Sequence, residues 1–156
     1  MHEILFRGKR IDNGEWVNGD LIQLYDGRKY IVNNVFGACI DGKGNFINTE
    51  EPFVCKVDPS TVGQYTGLKD RNGVRIFEGD IFRCKDARGY VRFGTYASAY
   101  SSGDTHVGFF IEWIVDRMLR IDLAFWTNQR EIEVIGNIHD NGELIHEKRE
   151  TTATVS

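Results

Sequence analysis

Apolar residues along this chain recur every second position over short stretches and seldom every third or fourth, the spacing of strands rather than helices. In "HVGFFIEWI", residues 106–114, Val107, Phe109, Ile111 and Trp113 fall on one face of an extended chain. "REIEVIGNI", residues 130–138, alternates as well, with Ile132, Val134 and Gly136 opposite Glu133, Ile135 and Asn137. Between such segments lie Asx-Gly pairs: Asn13-Gly14, Asn18-Gly19, Asp26-Gly27, Asp41-Gly42, Asn72-Gly73 and Asn141-Gly142. These are the residues favoured in type I′ hairpin turns, where both central positions need positive φ. "GDLIQLY" before Asp26-Gly27 and "RKYIVNNVF" after it therefore read as one hairpin, and "FGACI" and "NFI" around the 41–44 loop as another.

One phrase is spelled twice. "DNGEWVNGDLI", residues 12–22, and "RNGVRIFEGDIF", residues 71–82, both run from Asn-Gly through a short segment to Gly-Asp and two apolar residues. The expected structure is an Asn-Gly reversal (Asn72, Gly73 in the second copy), a short strand, then a tight turn. In that second turn Gly19 or Gly79 gives backbone freedom, and Asp20 or Asp80 binds the turn's N–H groups.

Helical signals are few. Asp58 and Pro59 in "VDPSTV" suit an N-cap and a first helical position, with Gly63 soon ending the turn. "VDRMLRIDLAFW", residues 115–126, places Met118, Ile121 and Phe125 three and four apart, which suits a turn or two of helix or equally an irregular loop pinned by aromatics, and "ELIHEKRE", residues 143–150, reads as a short terminal helix before a frayed "TTATVS". The fold class expected is mainly β: small, strongly bent sheets of the SH3-like kind with little helix.

Composition narrows this picture without redirecting it. A 156-residue chain with 41% hydrophobic residues has enough apolar matter for a packed interior. No apolar run approaches the ~20 residues that span a bilayer, and "MHEILFRGKR" lacks the apolar stretch of a secretory leader. Cys39, Cys55 and Cys84 form an odd, widely spaced set, which reads as buried thiols in a reducing compartment. A cytoplasmic protein with no membrane partner is the expectation. The net charge of −4 is uneven: residues 56–100 carry eight Lys and Arg against five Asp and Glu, while residues 101–156 carry five against ten. This balance argues against a general nucleic-acid coat and leaves room for a local basic surface in the middle third.

The stretch Val57–Ile81, "VDPSTVGQYTGLKDRNGVRIFEGDI", carries a resemblance together with "GYVRFGTY" at 89–96, "GFFIEWI" at 108–114 and "EVIGNIHDN" at 133–141. With the opening "EILFRGKR" and "WVNGDLI", it resembles the YopX family of phage and prophage proteins over about residues 3–145. Gly142 departs from the family's pattern, where Pro is expected. The resemblance implies a mainly β protein of the bacterial host cytoplasm, encoded on a mobile element. It divides the chain into an amino-terminal hairpin module (1–55), an SH3-type barrel region (56–146) and a tail (147–156). It carries no catalytic residue onto this chain.

Candidate chemistry is correspondingly sparse. Glu78, Asp80 and Asp70 lie close in sequence, but acid–base work needs carboxyls held apart with their pKa values separated, and Gly-Asp turns arise for backbone reasons. No Cys-x-x-Cys, His-x-x-x-His, nucleophile elbow or phosphate-cradling loop with a following helix occurs. No catalytic residue, metal or cofactor is expected. One constellation stands out: "RCKDARGYVRFGTYASAY", residues 83–100, interleaves Arg83, Lys85, Arg88 and Arg92 with Tyr90, Phe93, Tyr96 and Tyr100. On a strand, Tyr90 and Arg92 share a face, as a single-strand stacking platform needs. The first functional expectation is a non-enzymatic accessory module that binds a protein or self-associates as a homo-oligomer. Nucleic-acid binding through Arg83, Lys85, Arg88, Tyr90 and Arg92 comes second, and an enzyme third.

Overall fold

The structure is a computed structural model and describes residues 2–32, 43, 54–97, 103–114 and 121–146. Among these the chain is mainly β, and it divides into two compact units, Met1–Tyr65 and Thr66–Ser156.

In the first unit the strands β1 (Phe6–Lys9), β2 (Trp16–Gln23), β3 (Lys29–Val32) and β4 (Val54–Val57) are each antiparallel to the next. The first residues of β5 (Gly63–Lys69) pair with the other edge of β1. Alternation decides which residues face inward: Cys55 and Val57 are buried while Val54 and Lys56 are exposed. They join Val17 and Ile31 in a small core, flanked by Phe6, Leu21 and Val62. The expected β2–β3 hairpin forms around Asp26-Gly27, with Asp20–Gln23 opposite Lys29–Val32. Asp58 caps a single 3-10 turn, Pro59–Thr61, by accepting from the Ser60 N–H at 3.0 Å. The hairpin expected from "FGACI" and "NFI" lies outside the described residues, as does Cys39.

Two expectations about turns are corrected. Among the described Asx-Gly pairs the Asx residue never takes positive φ, so these are not type I′ turns. Only the glycine is left-handed, at Gly14 (72°), Gly27 (91°) and Gly73 (80°). The Asx side chain acts instead as an acceptor. Asn13 Oδ1 takes the Glu15 N–H at 3.0 Å, and Asp26 Oδ1 takes that of Arg28 at 3.1 Å. The second correction is that Asn18, Gly19 and Asp20 are not a turn but the middle of β2, where Gly19 pairs with Phe6. A Cβ there would come within 1.8 Å of the Val32 carbonyl oxygen, so glycine is required for close strand approach.

The second unit continues β5 beside β6 (Arg75–Phe77) and builds a sheet in the order β10-β7-β8-β9. Its strands are β7 (Asp80–Cys84), β8 (Ala87–Ala97), β9 (Thr105–Trp113) and β10 (Ile132–Asn137). Helix α1 (Leu123–Asn128) takes up the last residues of the stretch where a turn or two was expected, and Met118 lies outside the described residues. The short α2 (Glu143–His146) follows the Asn141-Gly142 corner. Ile76, Phe82, Cys84, Val91, Ile111, Leu123 and Ile132 form the core. Trp113 meets Phe82 edge-on at 5.5 Å and Trp126 at 5.6 Å. Each fully buried apolar side chain here contributes about 1.5–3 kcal/mol by leaving water. The expected alternation holds in β9 and in the first half of β10, until a register shift between Val134 and Gly136. Here the repeated phrase is realised as expected. Gly79 (φ 87°) makes the β6–β7 corner, and Asp80, 2% exposed, accepts the Phe77 N–H at 2.8 Å.

Candidate functional site

The basic and aromatic segment singled out above runs from the end of β7 through β8, and the ladder shows what stands opposite it. Arg92 pairs across with Phe110, and Tyr90 with Glu112. Tyr90 and Arg92 do share the outward face, while Val91 is 1% exposed on the core face. The Arg92 guanidinium donates to Glu112 and lies 5.9 Å from the Phe110 ring centre. That hydrogen bond is the main reason the Glu112 carboxyl is held below the usual glutamate range. The Tyr90 phenol is pushed up, first by burial and then by its hydrogen bond to the same carboxylate.

The other cations are likewise engaged. Arg83 reaches Glu133 at 3.0 Å, and Lys85 reaches Glu131 at 3.7 Å from a left-handed backbone (φ 52°) in the β7–β8 turn. Arg88 is half-buried and donates to the Leu144 carbonyl at 3.3 Å. The five residues expected together do lie along one hairpin, but the four cations among them are matched by Glu112 of β9, Glu133 of β10, Glu131 just before β10 and the Leu144 carbonyl of α2. The sequence count missed these acceptors because they sit far along the chain and are brought near only by the strand register.

Buried carboxylates are the second feature. Asp70 Oδ1 accepts the N–H groups of Asn72 (2.8 Å) and Val74 (2.9 Å), and Oδ2 that of Val134 (3.0 Å). The Asn72-Gly73 turn is thereby tied to β10, a role no local sequence signal reveals. Glu133 on β10 receives Arg71 as well as Arg83. Both Asp70 oxygens thus serve backbone donors, and Asp80 Oδ2 serves the Phe77 N–H, the arrangement of carboxylates that clamp turns. The thiol of Cys84 is pushed up by burial first and by Glu131 next, which opposes thiolate formation. Among the described residues no cluster of His, Cys, Asp and Glu is placed to hold a metal ion.

Beyond Arg92 the character of the hairpin changes. Phe93–Ala97 and Thr105–Phe109 continue the ladder as a two-stranded ribbon past the end of β7. On the face that becomes core further down, Phe93 packs edge-on against Phe109 (5.1 Å), yet Phe93 is 52% and Val107 73% exposed. On the other face Tyr96 lies between His106 (5.5 Å) and Phe110 (5.3 Å) with tilted rings. His106 and Tyr96 are the titratable side chains of the ribbon, and Asp104 immediately precedes it. Nothing in the sequence marks this change, because the alternation is uninterrupted.

Comparison with known proteins gives a match to the model of the family described as YopX protein over residues 5–146. Among solved structures the chain is similar to the crystal structure of protein EF1440 from Enterococcus faecalis, 23% identical, covering 93% of this chain and 99% of that one, with a TM-score of 0.48. No curated protein matches. Among the described residues no helix is long and apolar enough to cross a membrane.

Proposed function

The chain belongs to the YopX protein family, and on that premise we propose that it is a phage- or prophage-encoded accessory protein of the host cytoplasm, working without catalysis or cofactor by binding a protein or itself. The observation that supports this is the ribbon, which leaves two large apolar side chains, Phe93 and Val107, exposed on a β scaffold with almost no charge. The test is light scattering on the isolated chain together with affinity capture from phage-carrying cells. Self-association, or a stoichiometric co-purifying protein retained in high salt, is expected, and either is lost in Phe93→Asp/Val107→Asp. A chain that stays monomeric and retains no protein refutes the reading.

Binding of single-stranded nucleic acid through Arg83, Lys85, Arg88, Tyr90 and Arg92 is the second reading, favoured by the Tyr96 ring stack beside Arg92. It is weakened by the carboxylates that Arg83, Lys85 and Arg92 already carry. It requires salt-dependent retention of single-stranded DNA or RNA that drops in Arg88→Ala/Arg92→Ala. Equal retention by the double variant disposes of it.

A further inference from the structure

The last described element crosses the outer face of the second unit's sheet. Between β7 and β8, Arg83 stands opposite Arg88 and Ile81 opposite Tyr90, and on β10 Gly136 stands opposite Ile81. Phe82 and Cys84 point into the core, so Ile81 is on the other face, with Arg88 and Tyr90. An uncovered outer face would leave Ile81 in water, yet it is fully buried. Two contacts locate the cover. At Gly136 a Cβ would come within 2.4 Å of Asn141 Oδ1, so Asn141 sits against the outer face of β10. At β8 the Arg88 guanidinium donates to the Leu144 carbonyl at 3.3 Å, so α2 reaches the same face. Residues 141–144 therefore pass from β10 to β8 above Ile81 of the intervening β7.

The two ends of this crossing are held unequally. At the corner, the Asn141 N–H donates to the Asn137 carbonyl at 2.8 Å, and Asn141 Oδ1 takes the Asn137 N–H at 3.2 Å. The nearby Ile138 N–H goes to the Gly79 carbonyl at 2.9 Å. The far end is α2, a single turn with no fully buried residue, whose Leu144 and Ile145 are half-buried. A helix this short has no stability of its own. We propose that residues 141–146 are a strap that lifts from its α2 end, pivoting at the Asn141 corner, and so controls access to Ile81, Arg88 and Tyr90. Closed, the strap holds Arg88 on its own carbonyl. Open, it presents a cation, a phenol ring and an apolar side chain side by side on adjacent strands. That single-stranded nucleic acid takes up the uncovered face rests on the second reading above; the lifting of the strap does not.

The test begins with amide hydrogen exchange on the full wild-type chain. The Leu144 and Ile145 amides, bonded to the Asn141 and Gly142 carbonyls at 2.9 and 3.2 Å, are expected to exchange at least about tenfold faster than those of Ile138 and Asn141. Equal protection at all four overturns the strap. The full-chain variant Leu144→Ser/Ile145→Ser then holds it open, and circular dichroism checks folding. In that variant the Tyr90 phenol, pushed up first by burial, is expected to titrate closer to the ordinary tyrosine value. A phenol that does not move in the folded variant overturns the cover. Retention of an oligothymidylate at low salt is expected to rise at least about threefold in the same variant, and the gain is expected to vanish when Arg88→Ala is added. A phenol that moves without any gain in retention refutes the nucleic-acid reading and leaves the strap standing.

Discussion

The two halves of the β8–β9 hairpin share one ladder and one alternation, and they meet different surroundings. In the half nearer the sheet, Val91 and Ile111 are each 1% exposed and Trp113 reaches Phe82 and Trp126, so the inward face is core. In the farther half the same face carries Phe93, Thr95, Val107 and Phe109 past the end of β7. A two-stranded ribbon on its own is marginal in water. This one is held by continuity with the sheet, by the Phe93–Phe109 pair and by the Tyr96 stack. Apolar alternation thus has two uses in a single strand pair: one builds an interior, and the other offers a surface.

The comparison breaks if truncations in the two halves cost the same. Phe82→Ala, beneath the near half, is expected to lower stability by about 4 kcal/mol through lost transfer energy and a cavity. Val107→Ala in the far half is expected to stay within about 0.5 kcal/mol. Urea unfolding at a dilution where the chain is monomeric measures both. Next in size is Asp80→Ala, which leaves the buried Phe77 N–H without its acceptor and is expected to cost about 2 kcal/mol by the same method. Asp20→Ala, the matching change on the exposed middle of β2, is expected to cost less than about 0.5 kcal/mol. Tyr96→Ala should cost about 1 kcal/mol or less, and amide exchange should place the loosening in the ribbon alone.

The smallest effect sharpens the comparison by pH. The Glu112 carboxyl is lowered by Arg92, so its contribution is complete above the unfolded glutamate value and is lost as pH falls through the folded one, a window below about pH 4.5. Both partners are well exposed, which limits the effect to a few tenths of a kcal/mol. Arg92→Ala should flatten that part of the acid limb, read from melting temperatures between pH 3 and 6 (roughly the range of carboxyl titration).

How much of this was legible in the sequence depends on the range of the interaction. Strand character, the Asp58-Pro59 cap and the β2–β3 hairpin follow from residues within a turn of each other, and the structure has them. The two Gly-Asp phrases show the limit. The same letters make a corner at Gly79-Asp80 and a mid-strand close approach at Gly19-Asp20, because the neighbouring Val32 carbonyl decides the second case. Likewise Arg83, Lys85 and Arg92 read as a basic patch until Glu133 and Glu112 arrive from other strands and Glu131 from just before β10. Asp70 holds Val134, 64 residues away, by a bond no spacing rule anticipates. Exposure of Val107 and burial of Ile111 on one face was illegible for the same reason: alternation assigns a face, and tertiary packing decides what covers it.

The most direct measurement is residue-resolved amide hydrogen exchange at a dilution where the chain is monomeric. The account predicts that Phe110 and Glu112, whose amides face β8 in the near half of the ladder, exchange more slowly than His106 and Gly108, whose amides face β8 in the ribbon. Equal protection along the whole ladder contradicts it.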